Sequence, residues 1–398
     1  MDNLILGFFI SFFVTYVSIP VIIRIARIKK LVDIPDSRKI HKSPTPSLGG
    51  FGIFAGFILA LLISVPASAS SGLQYFAAAA FIIYILGLKD DVLVITPLKK
   101  FLGQLIATSI IVYKADIRIV SMHGIFGIQD LPYAVSIMLT YFSFILIINA
   151  FNLIDGVDGL AGTLGIVSAL IFGIYFYFAH DALYAIMGLS LVGGLSAFLL
   201  FNYTPAKIFM GDTGSMLVGL VNAILALRFI RVADAPGALV PVVSAPVIAF
   251  AVLAVPLFDT LRVFTIRIFL HRRSPFSPDR NHIHHLLLDC GLSHPATTLV
   301  LTSYNLVLIA LAFALRNTGV HELLFGLTVI SVAFTGLAAY LRQPRRPFVV
   351  MKNVPAVQPA AENVLVDTSP SIQQKTNRRH KGVISPIAMQ SVFSLEEE

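Results

Sequence analysis

The chain is a succession of long apolar runs separated by short polar connections. A hydrocarbon core needs about 20 mainly apolar residues per spanning helix. Eleven stretches meet that length within a few residues: 4–23, 48–66, 72–88, 101–113, 133–149, 160–179, 182–201, 215–230, 240–260, 296–315 and 321–341. Each predicts a helix, because a helix pairs its own backbone N–H and C=O groups where no water can. The run 4–23 has neither a basic segment before it nor a small-residue cleavage site after it, so it reads as an uncleaved helix. Segment 114–132 alternates in polarity and carries Gly124 and Gly127, which predicts a small outer-face β-hairpin. From Arg342 onward the chain is polar and proline-rich, and 342–398 reads as a disordered cytoplasmic tail. The expected fold class is an all-α polytopic membrane protein with about 11 transmembrane helices, residues 1–341 forming one transmembrane domain.

Composition sharpens this picture. Hydrophobic residues make up 57% of the chain and charged residues 13%, with a mean hydropathy of +0.85. That excludes a water-soluble globular protein, which carries about 25% charge. Lys and Arg then set the orientation, because they concentrate in cytoplasmic connections. With the N-terminus outside, 24 of the 29 fall on the inner side, so the N-terminus is expected out and the C-terminus in. The net charge of +8 points to anionic partners such as lipid headgroups or phosphorylated substrates. The single Cys, Cys290, excludes an intramolecular disulfide framework and a cysteine metal cluster.

Acids are scarce, and no Glu precedes Glu322. Acid chemistry in most of the chain must therefore use Asp. Five stand out beside apolar runs: Asp90 and Asp91 in GLKDDVL, Asp155 and Asp158 in NLIDGVDGL, and Asp212 in FMGDTGS. All five fall on the side that the basic residues mark as cytoplasmic. A helical turn would place Asp155 and Asp158 on one face. Like charges that close need a cation or donors to neutralise them. Oxygen donors without Cys or His among them favour a hard ion, Mg²⁺ or Mn²⁺. The structural alternative for any one of these Asp residues is helix capping. Gly156, Gly159, Gly162, Gly211 and Gly214 surround the acids, and exposed N–H groups beside glycine can meet a phosphate.

The long connection 261–295 contains HRRSPFSPDRNHIHH. His282, His284 and His285, with Arg272, Arg273 and Arg280, form a cationic cluster suited to a diphosphate or nucleotide. A zinc site would lack the Cys or carboxylate that completes it at a familiar spacing. An ordinary positive-inside loop is the plainer alternative. The basic loop RKIHKSPTPSLGG, containing Lys42, attracts lipid headgroups and is placed to reach a substrate.

These motifs, in this order, resemble those of the polyprenyl-phosphate N-acetylhexosamine-1-phosphate transferases. That family includes the undecaprenyl-phosphate GlcNAc-1-phosphate transferases and phospho-MurNAc-pentapeptide translocase. The resemblance runs from about residue 24 to 341. The HIHH run and the RKIHKSPTPSLGG stretch look like the UDP-N-acetylhexosamine branch. The resemblance implies that Asp90, Asp91, Asp155 and Asp158 are catalytic and that Asp212 is the principal Mg²⁺ ligand. It implies that Asn202 and Phe209 line a uracil pocket, and that Lys42, Arg280, His282, His284 and His285 bind substrate. The tail 342–398 is longer than the family leads one to expect.

The activity so implied is transfer of a sugar 1-phosphate, GlcNAc 1-phosphate in the first place, from a UDP-N-acetylhexosamine to undecaprenyl phosphate, releasing UMP, as the first membrane step of envelope polysaccharide synthesis; the same reaction with another UDP-linked amino sugar is the alternative. The expected location is the inner (cytoplasmic) membrane with the site facing the cytoplasm. Membrane lipids are expected partners, nucleic acid is not, and a homodimer is the assembly allowed for. The competing class is a polytopic transporter or lipid flippase. Such proteins set their sites near the bilayer midplane, whereas these acids sit in connections.

Overall fold

The computed structural model describes residues 1–31, 44–93, 95–233, 238–242, 244–272, 274 and 281–342. Tail residues 343–398, Lys42, Arg273 and Arg280 lie outside them. The described chain is helical, and no strand occurs within it. Thirteen α-helices follow in order: α1 Asp2–Ile28, α2 Gly49–Ser64, α3 Leu73–Leu93, α4 Pro97–Lys114, α5 Tyr133–Ile154, α6 Leu160–Phe178, α7 Ala182–Asn202, α8 Gly211–Ala233, α9 Ala245–Val252, α10 Ala254–Thr265, α11 Ile283–Asp289, α12 His294–Ala314 and α13 Val320–Leu341. Seven are long and apolar enough to cross a membrane, and the bent α9–α10 pair makes an eighth candidate. The protein is thus a helical polytopic membrane protein.

Helices α7 and α8 form the centre. Each carries a long, nearly all-apolar window, and a helix hydrophobic all round is a buried one. Their apolar windows are 83% and 78% buried, against 28% for α1 and for α13, which are left to face lipid. Around this centre α1 and α6 pack on α7, while α3 and α5 pack on α8.

The stretch 240–260 departs from the single span that its hydropathy predicts. It breaks at Leu253, and the chain turns by 86° between α9 and the α10 segment, which continues as a π turn over Ile266–Leu270. The cause is local. Pro256 has no N–H, so the carbonyl of Val252, four residues earlier, loses its helical donor. Asn305 of α12 repairs the break from outside. Its Nδ2 donates to the Val252 carbonyl at 3.1 Å, and its Oδ1 accepts the Val255 N–H at 3.1 Å. Irregular backbone at membrane depth survives where protein groups satisfy it in this way.

Segment 116–132 turns back on itself. Leu131 N–H donates to the Val120 carbonyl and Met122 N–H to the Gln129 carbonyl, and a 3₁₀ turn spans Ile125–Gly127. Only one isolated bridge, Ser121 with Asp130, forms there.

Candidate active site

The C-terminal ends of α3 and α5 and the N-terminal ends of α4 and α8 meet at one end of the bundle. The approach of α3 to α8 depends on Gly87, since a Cβ there would lie 2.4 Å from Thr213 Cα. That contact carries Asp91 to the N-terminus of α8. Its Oδ1 accepts the Asp212 N–H at 2.7 Å, and its Oδ2 accepts the Thr213 N–H at 3.1 Å and hydroxyl at 2.6 Å. Asp91 therefore caps a helix that is not its own, satisfying amides that α8 cannot pair internally. Gly211 sits at φ +70°, and a Cβ on it would stand 2.1 Å from the Ser47 carbonyl oxygen, so no other residue fits this turn.

Beside the cap, Lys100 at the start of α4 joins three elements. Its Nζ donates to Asp90 Oδ2 at 3.1 Å, Asp212 Oδ2 at 2.5 Å and Asn152 Oδ1 at 3.2 Å. Asn152 in turn donates to Asp212 Oδ1 at 2.6 Å and to Ser215 Oγ at 2.9 Å. Asp90 also accepts the Ile95 N–H at 2.7 Å. Two carboxylates thus share one ammonium, and the Asn152 amide adds a second donor to Asp212.

Asp155 ends α5 and makes no hydrogen bond or ion pair with any described residue. Burial raises its pKa well above the usual carboxylate range, and the neighbouring charges of Asp212, Asp91 and Asp158 push it the same way. Asp158 faces elsewhere, which corrects the expectation that one helical turn aligns the two. The chain leaves the helix after Ile154, and Gly159 takes a left-handed conformation before α6 begins. Asp158 instead meets His294 Nδ1 at 3.3 Å and accepts the Thr204 hydroxyl at 2.9 Å. Burial alone would raise its pKa, but these bonds hold it below the ordinary value.

A cavity of about 700 Å³ opens at this end. Asp90, Lys100, Asn152, Asp155 and Gly156 line it together with Arg267, His282, His284 and His285, and Gly156 lies directly against the His284 ring. Both ring nitrogens of buried His284 lack a hydrogen-bond partner. Burial drives its pKa well below the usual imidazole value, and the adjacent His285 adds to this, so it stays neutral. The three histidines do not form a metal-binding group with any acid among the described residues. His282 Nδ1 is bonded to Asp259 Oδ2 at 2.9 Å. A second, apolar cavity of about 240 Å³, lined by Leu105, Tyr141, Phe142, Ile145 and Leu146, shares Phe101, Asn149 and Phe264 with the first.

Of the residues singled out in sequence, the structure thus brings Asp90, Asp155, His282, His284 and His285 to one cavity, with Asp212 directly behind it. Asp91 and Asp158 do not line it. Asn202 does not either: its Oδ1 accepts the Gly159 N–H and its Nδ2 donates to the Ile208 carbonyl, so it clamps two loops together. That bond also removes the Gly159 amide from the donors expected to meet a phosphate. Phe209 is half-buried, with its backbone between Pro46 and Gly49. Lys100, Asn152 and Arg267 also line the cavity, and Asp259 stands behind His282; the sequence motifs single out none of them. Lys100 was counted as an orientation charge. Asp259, an acid inside an apolar stretch, carried a signal, because such residues are costly and usually functional.

A sequence profile of glycosyl transferase family 4 matches residues 73–230, from the start of α3 nearly to the end of α8. The decaprenyl-phosphate N-acetylglucosaminephosphotransferase of Mycobacterium leprae is 33% identical over 360 residues, 84% of this chain and 88% of that one. The undecaprenyl-phosphate alpha-N-acetylglucosaminyl 1-phosphate transferase of Yersinia pestis is 31% identical over 279 residues, 68% of this chain and 73% of that one. Its namesake in Escherichia coli K12 is 30% identical over 286 residues, 70% and 75% of the two chains.

Proposed function

The chain belongs to glycosyl transferase family 4, and from that premise we propose that it transfers GlcNAc 1-phosphate from UDP-GlcNAc to a polyprenyl phosphate. The products are polyprenyl-diphosphate GlcNAc and UMP. The observation that carries this reading is a pair of neighbouring cavities that share wall residues. The larger, lined by Asp90, Lys100, Asp155 and the histidines among apolar side chains, shares Phe101, Asn149 and Phe264 with a smaller apolar one. A charged head and a hydrocarbon tail on one substrate require that combination.

An oxygen of the acceptor phosphate attacks the phosphorus that carries the sugar, and the bond from that phosphorus to the UMP oxygen breaks. The acceptor's second ionisation lies near pKa ~6 by analogy with a phosphoserine, so it is largely dianionic at neutral pH and needs no strong base. Positioning and charge neutralisation therefore dominate. Lys100 holds Asp90 and Asp212 in register, and Arg267 and the histidines meet diphosphate oxygens in the same cavity. Asp155 faces the chamber and presents a hydrogen-bond donor while it stays protonated. Asp90 orients the acceptor, or attacks first to give a phospho-enzyme.

We assign these acids a divalent cation, Mg²⁺ or Mn²⁺, although no group of three metal-ligating side chains is preassembled among the described residues. Asp90 and Asp212 are hard oxygen donors that share a single ammonium, with the unpartnered Asp155 close by. Magnesium takes one or two carboxylates and completes its shell with water and phosphate. When bound, the ion would offset repulsion between the two phosphate-bearing substrates and stabilise charge on UMP.

Undecaprenyl phosphate is the acceptor we assign, and the chain is assigned eleven spans in the inner membrane, N-terminus out and C-terminus in, with this cavity facing the cytoplasm. The test is UMP release by purified protein in detergent, with a panel of UDP-sugars and one lipid acceptor. Release that requires UDP-GlcNAc, polyprenyl phosphate and Mg²⁺ together supports the proposal. No release with any UDP-N-acetylhexosamine, alongside solute uptake into vesicles, would favour the transporter class instead.

A further inference from the structure

Asp259 lies on α10 at 2% exposure, behind the cavity wall and out of reach of anything inside it. Its carboxylate is nonetheless fully engaged. Oδ2 stands 2.9 Å from His282 Nδ1, and Oδ1 accepts the Ile283 N–H at 2.9 Å and an Arg262 Nη2–H at 2.9 Å. The same Arg262 nitrogen donates to the Asn281 carbonyl, tying down the residue before the histidine. Asp259 thus grips both the ring of His282 and the backbone that carries it.

The chemistry of the partners fixes the tautomer. A carboxylate only accepts, so the 2.9 Å contact requires a hydrogen on Nδ1. Guanidinium only donates, and Arg267 Nη2 stands 3.5 Å from His282 Nε2, so Nε2 is left as the acceptor. Arg267 and His282 are each nearly fully buried, and both line the same cavity as Asp90. We infer that Asp259 is the positioning residue that sets the tautomer and orientation of His282, so that Nε2 is the ring atom presented to the donor diphosphate. This rests on the transferase reading above. On binding, Nε2 takes up a proton from water and donates it to a phosphate oxygen, with Asp259 stabilising the imidazolium so formed.

The experiment is a mutant cycle. Asp259→Asn keeps the shape but puts an N–H donor opposite Nδ1, which favours the wrong tautomer. Turnover should fall at least about tenfold, within the range of up to about 10⁴-fold seen when a buried acid behind a working histidine becomes an amide. In a His282→Ala background, Asp259→Asn should cost less than about twofold more, because its effect runs through the missing ring. Full activity of Asp259→Asn, or equal losses in both backgrounds, would overturn the inference. If Asp259→Asn fails to fold, His282→Asn decides. Its side-chain amide replaces Nδ1–H and keeps the bond to Asp259, while nothing replaces Nε2. Loss of turnover with an unchanged melting temperature supports the inference, and near-normal turnover sinks it. Wild-type protein run in parallel separates the two claims. No UMP from wild type removes the transferase reading and this inference with it, whereas normal wild-type turnover confines any failure to the role of Asp259.

Discussion

Replacing Asp91 with Asn tests whether this acid acts through the fold or through chemistry. The carboxylate receives three hydrogen bonds at the start of α8, two from backbone amides and one from the Thr213 hydroxyl. The carboxamide offers one oxygen where there were two. Either the Asp212 or the Thr213 N–H then faces an NH₂ group and loses its acceptor. A buried donor left unsatisfied costs about 1–3 kcal/mol, in line with the roughly 0.5–2 kcal/mol lost with a helix cap. For a chain of this size that lowers the melting temperature by about 2–6 °C. Because the amide of Asp212 is one of the two, turnover should also fall as its side chain shifts away from Lys100 and Asn152. The assay pairs thermal unfolding in detergent with UMP release. Lost turnover at an unchanged melting temperature would refute the capping argument and return Asp91 to the reacting groups.

Three further outcomes follow from the same geometry. Asp155 binds its proton more tightly folded than unfolded, so its destabilising effect is absent at acid pH and grows as pH rises above the ordinary carboxylate range. Asp155→Asn should therefore raise the melting temperature of metal-free protein by about 1–3 °C at pH 8 and much less at pH 5, while turnover falls; an equal gain at both pH values would contradict this. Lys100→Met leaves the part-buried Asp90 and Asp212 sharing no cation, at less than the about 3–5 kcal/mol of a fully buried pair; in EDTA the variant should melt below wild type, and Mg²⁺ should restore more stability to it than to wild type. Asn305→Leu orphans the Val252 carbonyl and the Val255 N–H, at about 2–5 kcal/mol together, so a melting curve indistinguishable from wild type would show that the break in α9–α10 is held some other way.

The helices were legible because bilayer length and backbone self-satisfaction leave little else for such runs to be. Each of the eleven apolar stretches contains helix, and even the short 101–113 run proved to be part of an 18-residue helix. What hydropathy cannot register is a missing donor. The 240–260 stretch is apolar enough to read as one span, yet one proline and an asparagine 49 positions later decide that it bends. The site divides along similar lines. Asp90, Asp155 and Asp212 were visible as acids at the ends of apolar runs. Lys100 was hidden because a cytoplasmic lysine has a ready explanation as an orientation charge, and Asp91 and Asp158 look no different in sequence from acids that face the cavity. Their roles depend on helix ends that only the folded chain brings together, as with Asp91 at α8 and Asp158 at His294.

The central claim is that a phosphorus atom moves with the sugar. Purified protein given UDP-GlcNAc labelled with ³²P at the phosphorus bearing the sugar, together with polyprenyl phosphate and Mg²⁺, should move the label into the lipid and release unlabelled UMP in equal amount. Label recovered in UDP, with sugar alone on the lipid, would contradict it.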